Sequence, residues 1–433
     1  MASAAIGSAC GAPGSQCETN PLSFDCWSCS VTMKQIRLME FVFRRNRRMA
    51  ERLRFYIRKY VEKLKEREGR SYKVKIMNFC GTHEWSIVHF GIRHVVGDDV
   101  ELIAGPGCPV CVTPSYYIEQ AIKLAFDGVR IYTFGDSFRL PALRGVKGAR
   151  SLQEAKAMGA DVKVVHSLLQ AAMDARNYRG DAVFFGIGFE TIAPGYAQTF
   201  LSKLVPSNLK FMSLVKLTPP AMRFTLELMR KVEGGERPIE GIIAPGHVST
   251  IVGGKAWKFA AEEYKVPVVV SGFEANDVLM AVAEILRQLL RREHKVVVEY
   301  ARAVKWEGDV RAQRVMNEVF EAVDTAWRGI GFIPKSGLAL RDGFREEYDA
   351  LEYFGIPDIT PDTWKYDLPA RCRCAEITLG LAKPSDCPLF MKACTPERPI
   401  GPCMASMEGA CAVWARFGGH GLASEIARDV GIT

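Results

Sequence analysis

The chain has 433 residues, 48% of them hydrophobic, and a formal net charge of +8 at pH 7. This length corresponds to roughly two to four domains of about 150 residues, with enough apolar side chains for buried cores. No run of about 18 apolar residues occurs, and the start MASAAIGSAC lacks a basic stretch followed by an apolar one. The sequence therefore supports neither a membrane span nor a secretory signal, and the expected location is the cytoplasm.

Residues 1–32 are rich in Ser, Ala, Gly and Cys and lack hydrophobic periodicity, which predicts a poorly ordered extension. The extension contains Cys10, Cys17, Cys26 and Cys29. A metal bound by these thiols would need helices or strands to hold them, and none is predicted there.

The positive charge is concentrated in one predicted helix. Between Arg44 and Arg70 there are twelve Lys or Arg and four Asp or Glu, an excess as large as that of the whole chain. Apolar residues recur in this segment at helical spacing, which predicts an amphipathic helix with a basic outer face. That face is either solvated or docks an acidic protein partner. Nucleic acid is not expected, because the basic and aromatic pattern of a nucleic-acid-binding module is missing.

From residue 73 one unit repeats: a β-branched run, a glycine-containing loop, then a helical stretch. It occurs at KVKIMNF before CGTH, VELIA before GPGCPVCVTP, DAVFFGI before GFET, IEGIIA before PGH, and VPVVV before SGFE. This alternation predicts an α/β fold with parallel sheets, in which ligands collect at the carboxyl ends of the strands. We predict two parallel-sheet α/β domains, 33–160 and 161–293, and a third, mainly helical or irregular, cysteine-bearing domain, 294–433. The two GFE loops, 188–190 and 272–274, hint at internal symmetry.

Cys80 ends the first of these strands and is followed by Gly81, Thr82 and His83 before the predicted helix EWSIVHFGIRHVV. Amide groups and the dipole at a helix N-terminus stabilise a thiolate, so we predict a lowered pKa for Cys80, with His83 as a proton acceptor or a second donor. A soft thiolate on an open loop is a good ligand for a low-valent metal. The alternative is a cysteine that packs as a small apolar residue.

The next loop contains Cys108 and Cys111 in a C-x2-C motif. Thr113 and Pro114 mark the predicted start of the helix SYYIEQAIKLAF, which places both thiols beside a helix N-terminus. This placement favours thiol–disulfide exchange or transient metal binding. A structural zinc site would need a second close cysteine pair, and inert packing is the remaining alternative.

Three polar residues follow later strands: Glu190 in GFET, His247 in PGHVST and Glu274 in SGFE. They either contact a bound ligand and orient a cysteine, or cap helix N-termini, which is the ordinary role of an acid in that position. Neither a G-x4-G-K-[ST] loop nor a C-x3-C-x2-C motif occurs, so phosphate-loop nucleotide binding and radical S-adenosylmethionine chemistry are not predicted.

In the last region, residues 310–331 predict a helix ended by glycine, and proline-rich loops follow. Six cysteines lie there: Cys372, Cys374, Cys387, Cys394, Cys403 and Cys411. Thiols at this density, with irregular gaps and no histidine among them, favour an iron–sulfur cluster over a structural zinc site. A cubane cluster needs four ligands, and the two cysteines left over suit disulfide redox chemistry beside it. The spacing does not show which two they are.

These motifs, in this order, resemble the HypD family of NiFe hydrogenase maturation factors. The resemblance runs from about residue 33 to 415 and rests on CGTH at 80–83, GPGCPVCVTP at 105–114, GFET at 188–191, PGHVSTIVG at 245–253, and CRCAEI, KPSDCPLF, CTPERPIGPCM and SMEGAC in the tail. It implies a scaffold on which an iron carrying two cyanides and one carbon monoxide, Fe(CN)2CO, is assembled before transfer to the hydrogenase large subunit. The implied partners are a HypC-type chaperone and HypE, which with HypF supplies cyanide.

The resemblance also implies roles for individual residues. Cys80 is the implied iron ligand, with His83 beside it, and Cys108 with Cys111 is the implied redox pair. The implied 4Fe-4S cluster is similar to that of ferredoxin-thioredoxin reductase, and its ligands are Cys372, Cys387, Cys394 and Cys411. Cys374 and Cys403 are then the spare pair that relays electrons.

The chain departs from the family pattern at Glu84-Trp85, where Thr-Met is usual, and Glu84 is expected to add a negative charge near the iron. Two other functions use the same cysteines. A free-standing iron–sulfur thiol–disulfide oxidoreductase would not need Cys80. A structural iron–sulfur protein would need neither Cys108 nor Cys111.

Overall fold

The computed structural model describes residues 46–231 and 239–418, and the statements below concern these two ranges. The predicted extension of residues 1–32 lies outside them. Within the described ranges, no helix combines the length and the apolar character needed to cross a membrane.

The first described element is the predicted basic amphipathic helix, α1 (Arg47–Glu68). The side-chain oxygen of Asn46 accepts a hydrogen bond from the Met49 N–H and caps the helix. Ile57, Val61 and Leu64 are buried along one stripe, while most of the lysines and arginines are exposed. The helix is therefore held by its apolar stripe, and its charge faces solvent.

Two parallel sheets form the centre of the protein, which confirms the predicted α/β class. Sheet A has the spatial order β2, β1, β7, β8, β9, and its strands are β1 (Val74–Asn78), β2 (Val100–Ala104), β7 (Gly241–Ala244), β8 (Val268–Val270) and β9 (Val296–Val298). Sheet B has the order β4, β3, β5, β6, and its strands are β3 (Arg130–Thr133), β4 (Val162–Val164), β5 (Ala182–Gly188) and β6 (Leu209–Val215). The central strands β1 and β5 are buried along their whole length, as expected for strands covered on both faces.

Helices cover both faces of each sheet. After α1 they are α2 (Gly81–His89), α3 (Ile92–Val96), α4 (Ser115–Phe126), α5 (Gly135–Phe138), α6 (Leu152–Ala157), α7 (Leu168–Ala175), α8 (Ala193–Leu201), α9 (Thr218–Lys231), α10 (Gly246–Val252), α11 (Lys258–Glu262) and α12 (Ala275–Arg291), with a 3-10 turn at Gly254–Trp257. On sheet A, α1 and α12 cover one face, and α9 with the Trp257 region covers the other.

The chain starts in sheet A, crosses to sheet B for β3 to β6, and returns to sheet A for β7 to β9. Met77 in β1 pairs with Ile103 on one side and Ile242 on the other. The sheets therefore do not follow the predicted division into 33–160 and 161–293, because residues 33–160 supply strands to both. Local patterns do not record this crossing, since a strand–loop–helix unit looks the same in either sheet.

The predicted helix over residues 310–331 is correct only in its first half. Helix α13 (Val310–Val319) is followed by an antiparallel hairpin of β10 (Phe320–Trp327) and β11 (Gly331–Leu340). Phe, Val, Thr and Trp recur along β10, and these residue types favour an extended chain with alternating burial over a helix. The hairpin then packs beside β6, so the third region also contains β structure.

The cysteine-bearing tail has no core of its own. It consists of loops and short helices: α14 (Asp342–Tyr348), α15 (Ala350–Tyr353), α16 (Cys374–Thr378), a 3-10 turn at Pro384–Asp386, α17 (Pro402–Ala405) and α18 (Ala410–Phe417). All six tail cysteines belong to the hydrophobic cluster that also contains Cys108, Cys111 and the apolar side of α4. The tail thus packs directly onto the loops of the α/β core.

Replacing Ile57 by Ala tests how α1 is held. Ile57 is fully buried in the cluster between α1, α12 and sheet A, so truncation should lower the free energy of unfolding by roughly 2–5 kcal/mol. Chemical denaturation with a circular-dichroism readout measures the change. Phe55→Ala on the same helix is the control, because Phe55 is 57% exposed and its loss should cost under about 0.5 kcal/mol. Equal effects at both positions would mean that α1 is not docked through this stripe.

Candidate functional site

The carboxyl ends of both sheets face one cleft. Loops after β1, β2 and β7 of sheet A and after β3 and β5 of sheet B line a cavity of about 250 Å³, and Glu408 from the tail completes it. Cys80, Val110, Phe189 and His247 are among the lining residues. The motif loops that the sequence places at strand ends therefore meet at one site, as expected for parallel α/β sheets.

Cys80 occupies the N-cap position of α2, directly after β1. The Gly81 N–H donates to the Gly107 carbonyl at 3.0 Å, which ties the helix start to the loop that carries Cys108. A Cβ on Gly107 would lie 2.5 Å from the Cys80 Cα, and a Cβ on Gly81 would lie 2.5 Å from the Glu408 carbonyl oxygen. Only glycine at these two positions lets the three chain segments meet at Cys80.

The prediction of a lowered pKa for Cys80 is wrong. The backbone N–H groups of Thr82 and His83 do face the sulfur and favour the thiolate, as does the Thr82 hydroxyl. Complete burial and the nearby Glu408 carboxylate outweigh them and raise the pKa of Cys80 to about 12. The thiol is therefore protonated at neutral pH, and a metal that binds it must displace the proton.

His83 is fully buried and faces away from this cavity. Its Nε2 lies 2.9 Å from the Gly272 carbonyl oxygen and 3.1 Å from that of Ser271, so the ring donates from Nε2. Burial lowers the pKa of His83 to about 4, which keeps the ring neutral. His83 and His247 stack on Phe273, with ring centroids 4.8 and 3.9 Å from it, and of the two histidines only His247 lines the cavity.

Cys108 and Cys111 form a disulfide in this structure, with Cα atoms 5.3 Å apart. The Cys111 N–H donates to the Cys108 sulfur at 3.1 Å. Helix α4 begins at Ser115 as predicted, although Pro114 is the N-cap and the Thr113 hydroxyl donates to the Pro109 carbonyl instead of capping. The C-x2-C pair thus lies beside a helix N-terminus, and both cysteines are at most 5% exposed.

A second, small cavity of about 20 Å³ joins thiols from three parts of the chain. Cys80, the Cys108–Cys111 disulfide and Cys403 all line it, with Thr378 from the tail. Its volume suits about one water molecule. Cys80 therefore borders two spaces, the larger cleft on one side and the thiol-lined cavity on the other.

The tail thiols form one buried group, and none of them is in a disulfide. The Cys372 and Cys374 sulfurs are 3.3 Å apart, and Cys374, Cys403 and Cys411 exchange hydrogen bonds. Hydrogen bonds from Cys374 and Cys411, and one from the Thr378 hydroxyl, lower the pKa of Cys403. Cys403, which borders the small cavity, is therefore the tail sulfur most disposed to be a thiolate.

The two acids on the GFE loops cap helices. Glu190 is buried and accepts hydrogen bonds from the Thr218 N–H and hydroxyl at the start of α9, at 2.6 and 2.9 Å. Burial raises the pKa of Glu190 to about 7. Glu274 is the N-cap of α12 and forms a capping box with Asp277. Phe189 and Thr191, on either side of Glu190, line the larger cavity instead.

Glu84 and Trp85 contact the tail helix α18. The Glu84 carboxylate accepts hydrogen bonds from Asn78, Arg93 and the Trp414 indole N–H, the last at 2.7 Å. The Trp85 ring packs edge-on against Phe417 with centroids 5.9 Å apart. Glu84 is expected from the sequence to add a negative charge near the proposed iron, and its side chain does line the small cavity beside Cys80, where the carboxylate is paired with Arg93. The single helix predicted over EWSIVHFGIRHVV is divided into α2 and α3, because Gly91 between them adopts a left-handed φ of 62°.

Three residues of the site could not be identified from the sequence pattern. Glu408 acts on Cys80 from the far end of the chain, Trp414 anchors Glu84, and the buried Arg328 lies between the disulfide loop and the tail thiols. Glu408 lies within the SMEGAC motif, but neither its type nor its spacing indicates Cys80 as its neighbour. Each of these contacts joins residues that are distant in sequence.

The tail thiols fit an iron–sulfur cluster by their chemistry. Within residues 46–231 and 239–418, no three His, Cys, Asp or Glu side chains are arranged to hold a single metal ion. A cluster is larger than one ion and takes thiolate ligands supported by N–H donors to sulfur. Such support is present, because the Ile400 N–H donates to the Cys394 sulfur at 3.3 Å. A Cβ on Gly401 would lie 2.7 Å from the sulfurs of Cys372 and Cys374, so the backbone passes close to them.

One family model and several known proteins match most of this chain. The family model described as HypD, hydrogenase formation hypA family, matches residues 56–418. A putative hydrogenase expression/formation protein of Methanocaldococcus jannaschii is 41% identical over 367 residues, which cover 84% of this chain and 98% of that protein.

Two proteins named hydrogenase maturation factor HypD are also similar along most of their length. That of Cupriavidus necator is 36% identical over 384 residues, 86% of this chain and 96% of its own. That of Escherichia coli is 36% identical over 368 residues, 82% of this chain and 94% of its own.

Glu408→Gln tests the electrostatic contact with Cys80. The amide retains an oxygen that can accept from Thr82 but removes the charge that raises the pKa of Cys80. The pKa of Cys80 should fall, so more thiolate is present at a given pH. Labelling of Cys80 by iodoacetamide should then begin at lower pH, measured by peptide mass spectrometry between about pH 7 and 10. The matched control is Glu397→Gln on the exposed tail surface, which should leave the profile unchanged. An unshifted profile in Glu408→Gln would contradict the contact.

Proposed function

The chain belongs to the HypD family of hydrogenase maturation proteins, and we propose that it is the scaffold on which the Fe(CN)2CO group is built for a NiFe hydrogenase large subunit. The observation that carries this proposal is the position of Cys80. It borders a cleft of about 250 Å³ on one side and, on the other, the small cavity that contains the Cys108–Cys111 disulfide and Cys403. A metal-holding thiol that touches both a cargo-sized space and a redox pair is what assembly on a scaffold requires.

Cys80 is the proposed ligand of the iron cargo. Its raised pKa means that iron binding releases a proton, and Thr82 offers a path for it. While Cys80 is protonated, its S–H can donate to the Thr82 hydroxyl oxygen, and the Thr82 hydroxyl donates to Glu408 Oε1 at 3.3 Å. Burial raises the pKa of Glu408, which makes this carboxylate a better proton acceptor than an exposed one. His247 and Phe189, on the walls of the cleft, then contact the diatomic ligands of the cargo.

The buried cysteines are proposed to pass electrons to the C-x2-C pair. Cys403 attacks the Cys108–Cys111 disulfide, and one of these sulfurs leaves as a thiolate. Cys374 attacks the mixed disulfide, so the products are a Cys374–Cys403 disulfide and two thiols at Cys108 and Cys111, which take up the two protons. Two electrons move from the tail pair to the C-x2-C pair. The lowered pKa of Cys403 and its place at the shared cavity support this order of attack.

The remaining tail cysteines, Cys372, Cys387, Cys394 and Cys411, are the proposed ligands of a 4Fe-4S cluster. When bound, the cluster supplies electrons that can regenerate the Cys374 and Cys403 thiols. The 3.3 Å contact between the Cys372 and Cys374 sulfurs supports electron transfer between a proposed ligand and the proposed relay pair. The proposed partners are a HypC-type chaperone, HypE with HypF as the cyanide source, and the hydrogenase large subunit that receives the cargo.

A second function, a free-standing thiol–disulfide oxidoreductase, is favoured by the shared cavity of the disulfide and Cys403. The burial of the disulfide favours the scaffold instead, because a protein substrate would have to reach cysteines that are at most 5% exposed. Cys80 separates the two functions, since only the scaffold needs it as a ligand.

Cys80→Ala should abolish iron-bound cyanide and carbon monoxide. We expect the parent chain, isolated without oxygen together with its HypC-type partner, to show infrared bands of metal-bound cyanide and carbon monoxide, and the variant to lack them. Visible absorbance of the cluster should be equal in both, which separates loss of cargo from loss of fold. Bands that persist in the variant would rule out Cys80 as the ligand. Absent bands in a parent chain that retains its cluster and reduces a disulfide substrate would favour the oxidoreductase.

The double variant Cys108→Ser and Cys111→Ser tests the redox pair. Serine preserves the size of both side chains but removes the disulfide, so the scaffold should keep its cluster absorbance. Hydrogenase activity in a maturation-deficient host should fall at least about tenfold, which corresponds to about 1.4 kcal/mol of activation free energy. Thr113→Val, in the same loop, is the control for loop damage. Full hydrogenase activity in the double variant would identify the protein as a structural iron–sulfur component with no thiol redox step.

A further inference from the structure

Arg328 forms the tip of the β10–β11 hairpin and is 2% exposed. This tip is inserted between the disulfide loop and the tail. On one side the Arg328 N–H donates to the Val112 carbonyl at 2.8 Å, one residue after Cys111. On the other side Gly329, with φ 68°, packs so tightly that a Cβ would lie 3.1 Å from the Cβ of Ala375, the residue after Cys374. The arginine is therefore fixed between the two groups of cysteines.

Among the described residues, the guanidinium has hydrogen-bond acceptors but no ion-pair partner. Nη1 donates to the Pro141 carbonyl at 2.9 Å and Nε to the Asp367 carbonyl at 3.2 Å, both neutral acceptors. Nη2 is buried and finds no acceptor among the described residues. The Asp367 carboxylate is engaged elsewhere, because it accepts from the Ser115 and Gly329 N–H groups at 2.7 and 2.9 Å.

A buried cation without a paired anion is costly, and proteins retain one where a negative group is to be compensated. The negative groups that act on Arg328 are Asp367 and the tail sulfurs. Burial lowers the pKa of Arg328, and the charges of Asp367, Cys374, Cys372 and Cys403 oppose that shift. The position of the hairpin tip is independent of this electrostatic effect and leads to the same group of thiols, because Gly329, next to Arg328, lies against Ala375, which follows Cys374.

We propose that Arg328 is a positioning residue whose guanidinium balances the negative charge of the tail thiol group, and that it thereby sets the potential at which that group accepts electrons. The inference rests on the proposed function, since it takes these thiols to hold an iron–sulfur cluster. Cluster potentials depend on the net charge and hydrogen bonding around the cluster. A fixed positive charge nearby favours the reduced, more negative state.

The test is a redox titration of the anaerobically isolated chain, with the cluster followed by visible absorbance and electron paramagnetic resonance. Arg328→Met removes the charge but keeps much of the apolar stem. At a fixed potential near the parent midpoint, its ratio of reduced to oxidised cluster should fall at least tenfold, which is 59 mV for a one-electron couple. Arg328→Lys keeps the charge and should change the ratio less than about threefold. If the methionine variant does not fold, Arg328→Gln replaces it with the same expected fall.

Lys216→Met is the matched control. Lys216 is also a buried basic side chain beside the hairpin, where burial lowers its pKa to about 7 and it donates to the Thr325 hydroxyl at 2.7 Å. It is not among the groups that act on the tail thiols. Its loss should destabilise the protein without moving the midpoint. An unchanged midpoint in both neutral Arg328 variants, with the cluster present, overturns the role of Arg328 but leaves the proposed cluster standing. A parent chain without iron and sulfide overturns the cluster itself, and the inference with it.

Discussion

The site depends on the close approach of three chain segments at Cys80. Gly107 brings the disulfide loop against the backbone of Cys80, and Gly81 brings Glu408 of the tail against the start of α2. Any side chain at either glycine would force these segments apart. The same contacts that gather the thiols also exclude water from them, and burial is what raises the pKa of Cys80 to about 12. Assembly of the site and protonation of its central thiol therefore have one cause.

Burial gives the two groups of sulfurs different chemistry. Two backbone N–H groups and the Thr82 hydroxyl favour the thiolate of Cys80, but burial and the Glu408 carboxylate outweigh them, so the thiol keeps its proton at neutral pH. Cys403 is surrounded by other thiols and a hydroxyl that donate to it, so its sulfur is stabilised as an anion in equally buried surroundings. A protonated thiol and a thiol with a lowered pKa thus lie on one cavity of about 20 Å³. This difference is what the proposed roles of Cys80 and Cys403 require.

Local pattern predicts the local parts of this structure. The strands, the loops at their carboxyl ends and the start of α4 at Ser115 follow from β-branched runs, glycine and proline. The sheet that each strand joins does not follow, because neighbours such as Met77 and Ile242 are set by the path of the chain and by packing. The predicted direction of the Cys80 pKa is wrong for a related reason. The helix N-terminus is visible in the sequence, whereas the burial that raises the pKa most comes from tertiary packing, and the opposing Glu408 belongs to a segment more than 300 residues away.

Glu84 and Trp85 illustrate how a departure from a family pattern can be absorbed by the fold. Seen in the sequence alone, Glu84 places a carboxylate four residues from Cys80, the proposed iron ligand. In the structure Arg93 neutralises it and Trp414 donates to it, while Trp85 packs on Phe417 of the same tail helix. Both residues therefore contact α18, which carries Cys411, and neither lines the larger cleft, although Glu84 also lines the small cavity beside Cys80. The pair strengthens the attachment of the tail to the helix that follows Cys80, so its effect falls on the alignment of the two thiol groups and leaves the charge at Cys80 to Glu408.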